Sequence, residues 1–256
     1  MDLRFDGKVA IVTGSARGIG FKVAELMVES GAKVAMVDIL ADRLQESAKT
    51  LQSKGVAKPY VLDLTKVPDI KATVSKIRQE MGEIDVLIQA AAIGPSAAAE
   101  DITEEAWDKC FAVNTKGLFF MMQQVVVQSM APRKKGSIVN FSSIAGMKGM
   151  RAPLCSAHYS GSKGAVAAII RQGAIEWAKY GIRVNGVASG GCKTEMTMSL
   201  VGSPEKMKEA CALIPLGRLS EPHEVAGPVV FMASDAASMY TGQIMIVDGG
   251  GESMGF

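Results

Sequence analysis

A tyrosine and a lysine stand four residues apart in the stretch HYSGSKGAV, His158 to Val166. On a helix that spacing stacks Tyr159 and Lys163 on one face, a turn apart. As an exposed polar pair they would add about 0.2–0.5 kcal/mol to the helix. As a proton device, Lys163 would lower the pKa of Tyr159 until the phenol carries protons near neutral pH. A phenol has a reference pKa of about 10, so about one in a thousand is ionised at pH 7. Bringing it to about 7 takes roughly 4 kcal/mol, and a unit charge about 4 Å away at an effective dielectric of about 20 supplies about that much. Such a tyrosine is a general base for alcohol oxidation or a general acid for carbonyl reduction. The pair alone leaves both uses open.

A second constellation is TGSARGIG, residues 13–20, spaced G-x-x-x-G-x-G between an apolar run and an amphipathic one. Glycines there permit a tight turn and a close approach of backbone to a pyrophosphate at a helix N-terminus. No G-K-[ST] follows, which argues against a phosphate-transferring P-loop, and the next strand ends on an acidic residue, Asp38. Metal chemistry is restricted by the presence of only two histidines, His158 and His223, so H-E-x-x-H and multi-histidine sites are excluded. Cys155 and His158 are spaced like two ligands, but no second pair completes a site, and both read as packing residues.

The elements that must position these groups follow from periodicity. KVAIVTG (8–14), KVAMVD (33–38), KPYVLDL (58–64), IDVLIQAAA (84–92), GSIVNFSS (136–143), IRVNGVAS (182–189) and GQIMIVDGG (242–250) read as strands. Helix-length stretches alternate with them. They include 18–31, with Phe21, Ala24, Leu26 and Val28 towards the core and Gly31 as a stop, 41–55, the long run 104–130, the helix carrying Tyr159 and Lys163, and one near 222–234. Strands that are continuously apolar and separated by helices predict an α/β parallel sheet covered on both faces. With 256 residues, no Pro/Ser-rich linker and no break in composition, one domain is the economical reading.

Composition narrows the partners. Hydrophobic residues make up 48% and aromatics 5%, and the net charge is +2 without a basic block, so neither nucleic acid nor an anionic membrane is expected. The N-terminal run MDLRFDGKVAIVTG reads as neither a signal peptide nor a spanning helix, and no other apolar run reads as long enough to span a bilayer. Four dispersed cysteines without a C-x-x-C pair suit a reduced, cytoplasmic setting.

Taken in order, TGSARGIG, Asp63-Leu64, Asn114, Ser142-Ser143, Tyr159-x-x-x-Lys163, Arg183-Val184-Asn185 and Val247-Asp248-Gly249-Gly250 resemble the short-chain dehydrogenase/reductase family over nearly the whole chain. The resemblance implies a single-domain, Rossmann-like doubly wound fold that binds a nicotinamide dinucleotide, here NAD. It implies catalytic roles for Asn114, Ser143, Tyr159 and Lys163, with Ser143 donating to the substrate oxygen and Asn114 holding a water that links Lys163 to solvent. For Asn114 a buried helix-capping amide is the alternative. The implied cofactor contacts are Gly14, Arg17, Gly18, Ile19, Gly20, Asp38, Asp63, Leu64, Ala90, Tyr159, Lys163, Gly190 and Thr194. Asp38 would accept from the adenosine ribose hydroxyls and repel a 2′-phosphate. Its alternative is a helix N-cap, for which Ala41-Asp42 is better placed. Asp63 would meet the adenine, with a turn aspartate as its alternative; Lys163 would also hold the nicotinamide ribose, and Thr194 the carboxamide.

Three departures from the family pattern stand out. QAAA (89–92) replaces Asn-Asn-Ala-Gly, so asparagine bonds are lost or taken over by Gln89. Ser189-Gly190 replaces Pro-Gly, which would loosen the nicotinamide pocket. The segment between Ser143 and Tyr159 is a few residues longer than common. The expected activity is NAD-dependent interconversion of a secondary alcohol and its ketone. The alternatives are an NADP-dependent carbonyl or 3-oxoacyl reductase and a non-catalytic dinucleotide-binding regulator. The resemblance also implies a homotetramer paired through the helices around 104–130 and 157–180 and through C-terminal segments. Substrate loops are expected at 144–158 and 191–214. Their Met147, Met150, Leu154, Met196, Met198, Leu200 and Met207 would either shape an apolar pocket or pack the lid. Lys148, Arg151, Lys193 and Glu195 leave an anionic or polyhydroxylated substrate open, and Gly202 with Pro204 suggests a hinge.

Overall fold

Val9 and Ile11 of the first strand join one apolar cluster while Ala10 and Val12 join another, and all four are buried. Successive strand side chains point to opposite faces, so a strand covered on both sides must be apolar throughout. The computed structural model describes residues 3–150 and 156–253. In chain order it runs β1 (Val9–Thr13), α1 (Gly18–Glu29), β2 (Lys33–Asp38), α2 (Ala41–Gln52), β3 (Ala57–Val61), α3 (Val67–Met81) and β4 (Ile84–Gln89). There follow α4 (Glu104–Arg133), β5 (Gly136–Ser143), α5 (Ala157–Trp177) and β6 (Ile182–Ser189). The chain continues through α6 (Glu195–Val201), α7 (Pro204–Ala212), α8 (Pro222–Ala233) and β7 (Ile244–Val247).

The strands form one parallel sheet in the order β3-β2-β1-β4-β5-β6-β7. Helices α1, α2 and α8 bury residues such as Val23, Met27, Leu44 and Val229 in the cluster on one face. Helices α3, α4 and α5 bury Ile70, Ile77, Met121, Val125 and Ile170 on the other. The strand order reverses between β1 and β4, which opens a crevice beyond their carboxyl ends, where sheets of this kind bind ligands. Of the residues assigned to the core face of α1, Ala24 and Val28 are buried, whereas Phe21 and Leu26 are only partly so and pack at the cluster's edge.

Three expectations about elements change. Strands β3 and β7 are shorter than the apolar runs that suggested them, because the residues towards Leu64 and Gly250 turn away to line the crevice or close the C-terminal turn. The segment 191–214 is two short helices rather than a loop. Thr194 and Ser203 start them as N-caps, and Gly202 at φ 74° separates them. Helix α4 is long and apolar enough to span a bilayer, contrary to the expectation that no run would be. Its length is used differently here: Cys110, Leu118, Met121, Met122, Val125 and Met130 are all buried on it, all but Cys110 in the cluster beside the sheet. It opens on Glu104 and Glu105 behind the Thr103 cap, so its first turn is polar.

The Arg183-Val184-Asn185 motif ties β6 to its surroundings. The Arg183 guanidinium donates to the carbonyls of Met232 (3.0 Å) and Ser234 (2.9 Å) at the end of α8. The Asn185 side chain donates to the Tyr240 carbonyl at 2.7 Å and accepts from the Gln243 amide at 3.1 Å.

Candidate active site

At the mouth of the crevice the chain after β1 folds so tightly that a Cβ on Gly20 would lie 2.1 Å from the Gly14 carbonyl oxygen. Gly14 itself has φ 69°. Only glycine fits both positions. Helix α1 begins here with Arg17 as its N-cap, no side-chain cap and no acidic residue in its first turn. Its unpaired N–H groups, with Gly18, Ile19 and Gly20 lining the crevice, suit an anion such as a pyrophosphate.

The crevice is a cavity of about 610 Å³. Every residue expected to contact a dinucleotide lines it, from Asp38, Asp63 and Leu64 at one end, past Gly14 and Ala90, to Tyr159, Lys163, Gly190 and Thr194 at the other. Asp38 is not a helix cap, nor is Asp42, because α2 starts without a side-chain cap at all. Its carboxylate instead accepts from the amides of Ala16 (3.0 Å) and Leu40 (3.1 Å). That fixes it at the end of β2 with lone pairs left for further donors. Asp63 accepts from the Thr65 amide and hydroxyl at 2.9 and 2.8 Å, and the backbone bond leads in holding its carboxyl below the ordinary value.

The catalytic end is set by β5 and the N-terminal turns of α5. Ser142 donates to the Lys163 carbonyl at 3.0 Å, and Ser143 accepts from the Ala145 amide at 3.1 Å. The turn that follows presses on α5. A Cβ on Gly146 would lie 2.6 Å from the Lys163 backbone, so glycine is required there for strand and helix to meet. The Lys163 ammonium donates to the Phe141 carbonyl at 2.7 Å and lies 5.9 Å from the centre of the Tyr159 ring.

The electrostatics differ from the sequence expectation. Tyr159 is pushed up rather than down, because burial disfavours the phenolate more than its hydrogen bond with Ser143 favours it. Burial likewise lowers Lys163 to about 8. The same dry surroundings that would strengthen a lysine–phenolate attraction penalise both charged forms. The ammonium also spends a bond on the Phe141 carbonyl.

Asn114 is a buried amide bonded to both neighbouring segments. Its amide accepts from the Ile93 N–H and donates to the Ile93 carbonyl, both at 2.9 Å, and donates to Ser162 at 3.1 Å. The side chain is thus occupied in tying α4 to the segment after β4, and it does not line the cavity. It holds the cavity wall formed by Ala90, Ala91, Ala92 and Ile93. Gln89 takes over bonds beneath that wall, donating to the Leu118 carbonyl at 3.1 Å and to Asn140 at 2.8 Å. At the Ser189-Gly190 turn the Gly190 amide donates to the Val247 carbonyl at 3.0 Å.

Of the described loop methionines and leucine, only Met196 lines the cavity; Met147 and Met198 are exposed. Leu154, Arg151 and Cys155 lie outside the described residues. His158 is buried, with Nδ1 3.1 Å from the Ser156 hydroxyl. The loop charges are engaged elsewhere. Lys148 donates to the Gly251 carbonyl, Lys193 pairs with Glu221, and Glu195 pairs with Arg17 and Arg43. Sequence reasoning missed Arg43, Ile93 and Gly94, whereas it allowed for Gln89 taking over asparagine bonds. A Cβ on Gly94 would meet the Met196 sulfur at 3.1 Å and the Tyr159 ring at 3.7 Å, which packs it against two cavity residues.

This arrangement has relatives. A family model described as enoyl-(acyl carrier protein) reductase matches residues 14–252. The 3-oxoacyl-[acyl-carrier-protein] reductase of Thermotoga maritima is 41% identical over 97% of this chain and 99% of its own length. The NAD-dependent glycerol dehydrogenase of Listeria innocua is 37% identical over 97% of this chain and 95% of its own. The crystal structure of a gluconate 5-dehydrogenase from Burkholderia cenocepacia in complex with NADP and tartrate superposes with a TM-score of 0.92 at 30% identity, covering 99% of this chain and 98% of that one. With a glycine-rich turn at the switch point, a serine, tyrosine and lysine at the far end of one cavity, and these matches along its length, the chain belongs to the short-chain dehydrogenase/reductase family of oxidoreductases.

Proposed function

We propose that the chain interconverts a small secondary alcohol and its ketone with NAD, Tyr159 carrying the proton. The observation that carries this reading is that Ser143, Tyr159 and Lys163 share one cavity with Asp38 at its opposite end. A bound nicotinamide supplies the hydride chemistry, and the protein's part is position and proton transfer. In oxidation the Tyr159 oxygen takes the hydroxyl proton; in reduction it returns a proton to the carbonyl oxygen. The Ser143 hydroxyl donates to the same substrate oxygen. Lys163, anchored on the Phe141 carbonyl, places a positive charge beside the phenol in the cationic form. Asp38 offers its remaining lone pairs to ribose hydroxyls and would repel a 2′-phosphate, which favours NAD.

The substrate end supports a compact alcohol with an apolar or cyclic body. Ala92, Ile93, Val113 and Met196 line it, and the loop charges Lys148, Lys193 and Glu195 are already paired or bonded. NADH formation across cyclic alcohols, polyols and hydroxy acids of similar size tests this reading. If the polar set leads in kcat/KM by tenfold or more, about 1.4 kcal/mol of transition-state binding, the apolar pocket is wrong. An NADP-dependent 3-oxoacyl reductase is the second reading, favoured by the Thermotoga relative; NADPH oxidation with a 3-oxoacyl thioester separates the two. A homotetramer in a reduced, cytoplasmic setting completes the proposal. It is supported by the exposed apolar residues Val127 on α4 and Ile175 on α5.

A further inference from the structure

The first residue of α6, Glu195, reaches across the crevice to two arginines far away in sequence. Its Oε2 accepts from Arg17 at 2.5 Å and from Arg43 at 3.0 Å, while its Oε1 accepts from the other guanidinium nitrogen of Arg43. The contact with Arg43 is therefore a two-pronged fork, the geometry in which an exposed carboxylate–guanidinium pair is worth most. Arg43 and then Arg17 hold the Glu195 carboxyl below its ordinary value.

These arginines flank a particular corner. Ala16, next to Arg17, and Leu40, three residues before Arg43, are the two residues whose amides hold the Asp38 carboxylate. Ser47 of α2 donates to the Ala16 carbonyl at 2.8 Å, which binds the two segments together. The corner that would receive the adenosine ribose is thus flanked by two cations, Arg17 on the cavity wall beside Ala16 and Arg43 in the first turn of α2, and a 2′-phosphate bound there would attract both. Helix α6 brings the carboxylate that occupies them. Its N-terminus is seated on the glycine turn independently, since a Cβ on Gly18 would be in contact with the Thr194 methyl at 3.5 Å.

We propose that Glu195 is a cofactor-selecting residue. It ion-pairs Arg17 and Arg43 so that neither guanidinium is free for a 2′-phosphate, and it reinforces from the substrate side the discrimination made by Asp38. The inference rests on the NAD reading above and extends it to a residue outside the nucleotide-binding half of the chain. In this arrangement Asp38 repels the phosphate directly, while Glu195 removes the attraction that would otherwise offset the repulsion. The bridge crosses exposed surface, so its effect is expected to weaken as salt screens it.

The test is calorimetric titration of substrate-free protein with NADH and with NADPH, at low and at moderate salt, alongside kcat/KM for both cofactors. For Glu195→Gln the ratio of NADPH to NADH affinity is expected to rise tenfold or more at low salt, and the gain to shrink at higher salt. Glu195→Asp keeps the charge and is expected to stay closer to wild type than to Glu195→Gln. In an Arg17→Ala/Arg43→Ala background, Glu195→Gln is expected to leave the ratio within twofold. A wild type that prefers NADH, with a Glu195→Gln ratio within twofold of it, overturns this inference and leaves the NAD reading standing. An equal rise in the double-arginine background also overturns it, because the effect then bypasses the arginines. A wild type that prefers NADPH overturns the reading of Asp38 and this inference with it.

Discussion

Lys163 is a buried amine that function requires and folding should resist, which makes Lys163→Met a sharp test of the site's energetics. Burial lowers the amine from 10.5 to about 8. A lysine with a depressed folded-state pKa binds fewer protons folded than unfolded between about pH 8 and 10.5. Stability therefore rises with pH through that window, and below it the whole cost of charging the buried group is carried. At about 1.36 kcal/mol per pH unit that cost is about 3 kcal/mol at pH 7. Methionine fills a similar volume without a charge but gives up the 2.7 Å bond to the Phe141 carbonyl, worth about 1 kcal/mol. The variant should then be more stable than wild type by about 2 kcal/mol at pH 7, and the advantage should fall towards zero near pH 10. Urea unfolding of both proteins at matched protomer concentration and several pH values measures the difference directly. A variant less stable than wild type at pH 7, or a difference that does not change with pH, would refute the claim that desolvation dominates at Lys163. Activity should be lost in either case, the usual trade between a functional site and stability.

Further outcomes follow from the same geometry. Tyr159→Phe should lower kcat by at least about 100-fold while NADH still binds in a fluorescence titration, because only the proton-carrying oxygen is removed; substantial turnover would mean another group carries the proton. Since burial raises the Tyr159 pKa, alcohol oxidation, which needs the base form, should climb with pH on the alkaline side while reduction does not; an oxidation profile flat from about pH 6 to 9 contradicts that sign. Asp38→Ser should raise the NADP/NAD ratio of kcat/KM by about tenfold or more, and no change would remove Asp38 from cofactor choice. Light scattering at micromolar concentration should give a tetramer, and Ile175→Asp, on an exposed face of α5, should dissociate it; a monodisperse wild-type monomer ends that proposal.

Residues whose role depends on standing at the carboxyl end of a strand were legible in the sequence. Gly14, Asp38, Asp63, Ser143 and Gly190 follow apolar runs, and a parallel sheet delivers all such ends to one edge, where they line one cavity. The pair Tyr159 and Lys163 was legible because helical spacing is local. Pairings across long sequence distances were not. Nothing in the sequence shows that Ile93 will present both its N–H and its carbonyl to the Asn114 amide. For Gln89 the sequence left open whether asparagine bonds are lost or taken over, and only the folded chain shows that its side chain reaches Asn140.

The substrate segment shows why side-chain inventory is a weaker guide than strand ends. Counting methionines between 191 and 214 suggested an apolar pocket, but that count assumed an irregular loop whose side chains could all turn inward. Thr194 and Ser203 cap two short helices instead. A helix distributes neighbouring side chains around its axis, so Met196 faces the cavity while Met198 is about half exposed. The same turn of helix sends Glu195 towards Arg17 and Arg43 instead of towards a substrate. One capping hydroxyl, from Thr194, therefore anchors the start of α6. The phase of that helix decides which residue meets the substrate, which meets the adenosine corner, and which is left to solvent. A change at that cap, such as Thr194→Val, should disturb substrate and cofactor constants together, whereas truncating Met198 to Ala should leave both within about twofold. A large effect at Met198 with none at Thr194 would show that the phase of α6 does not govern the site.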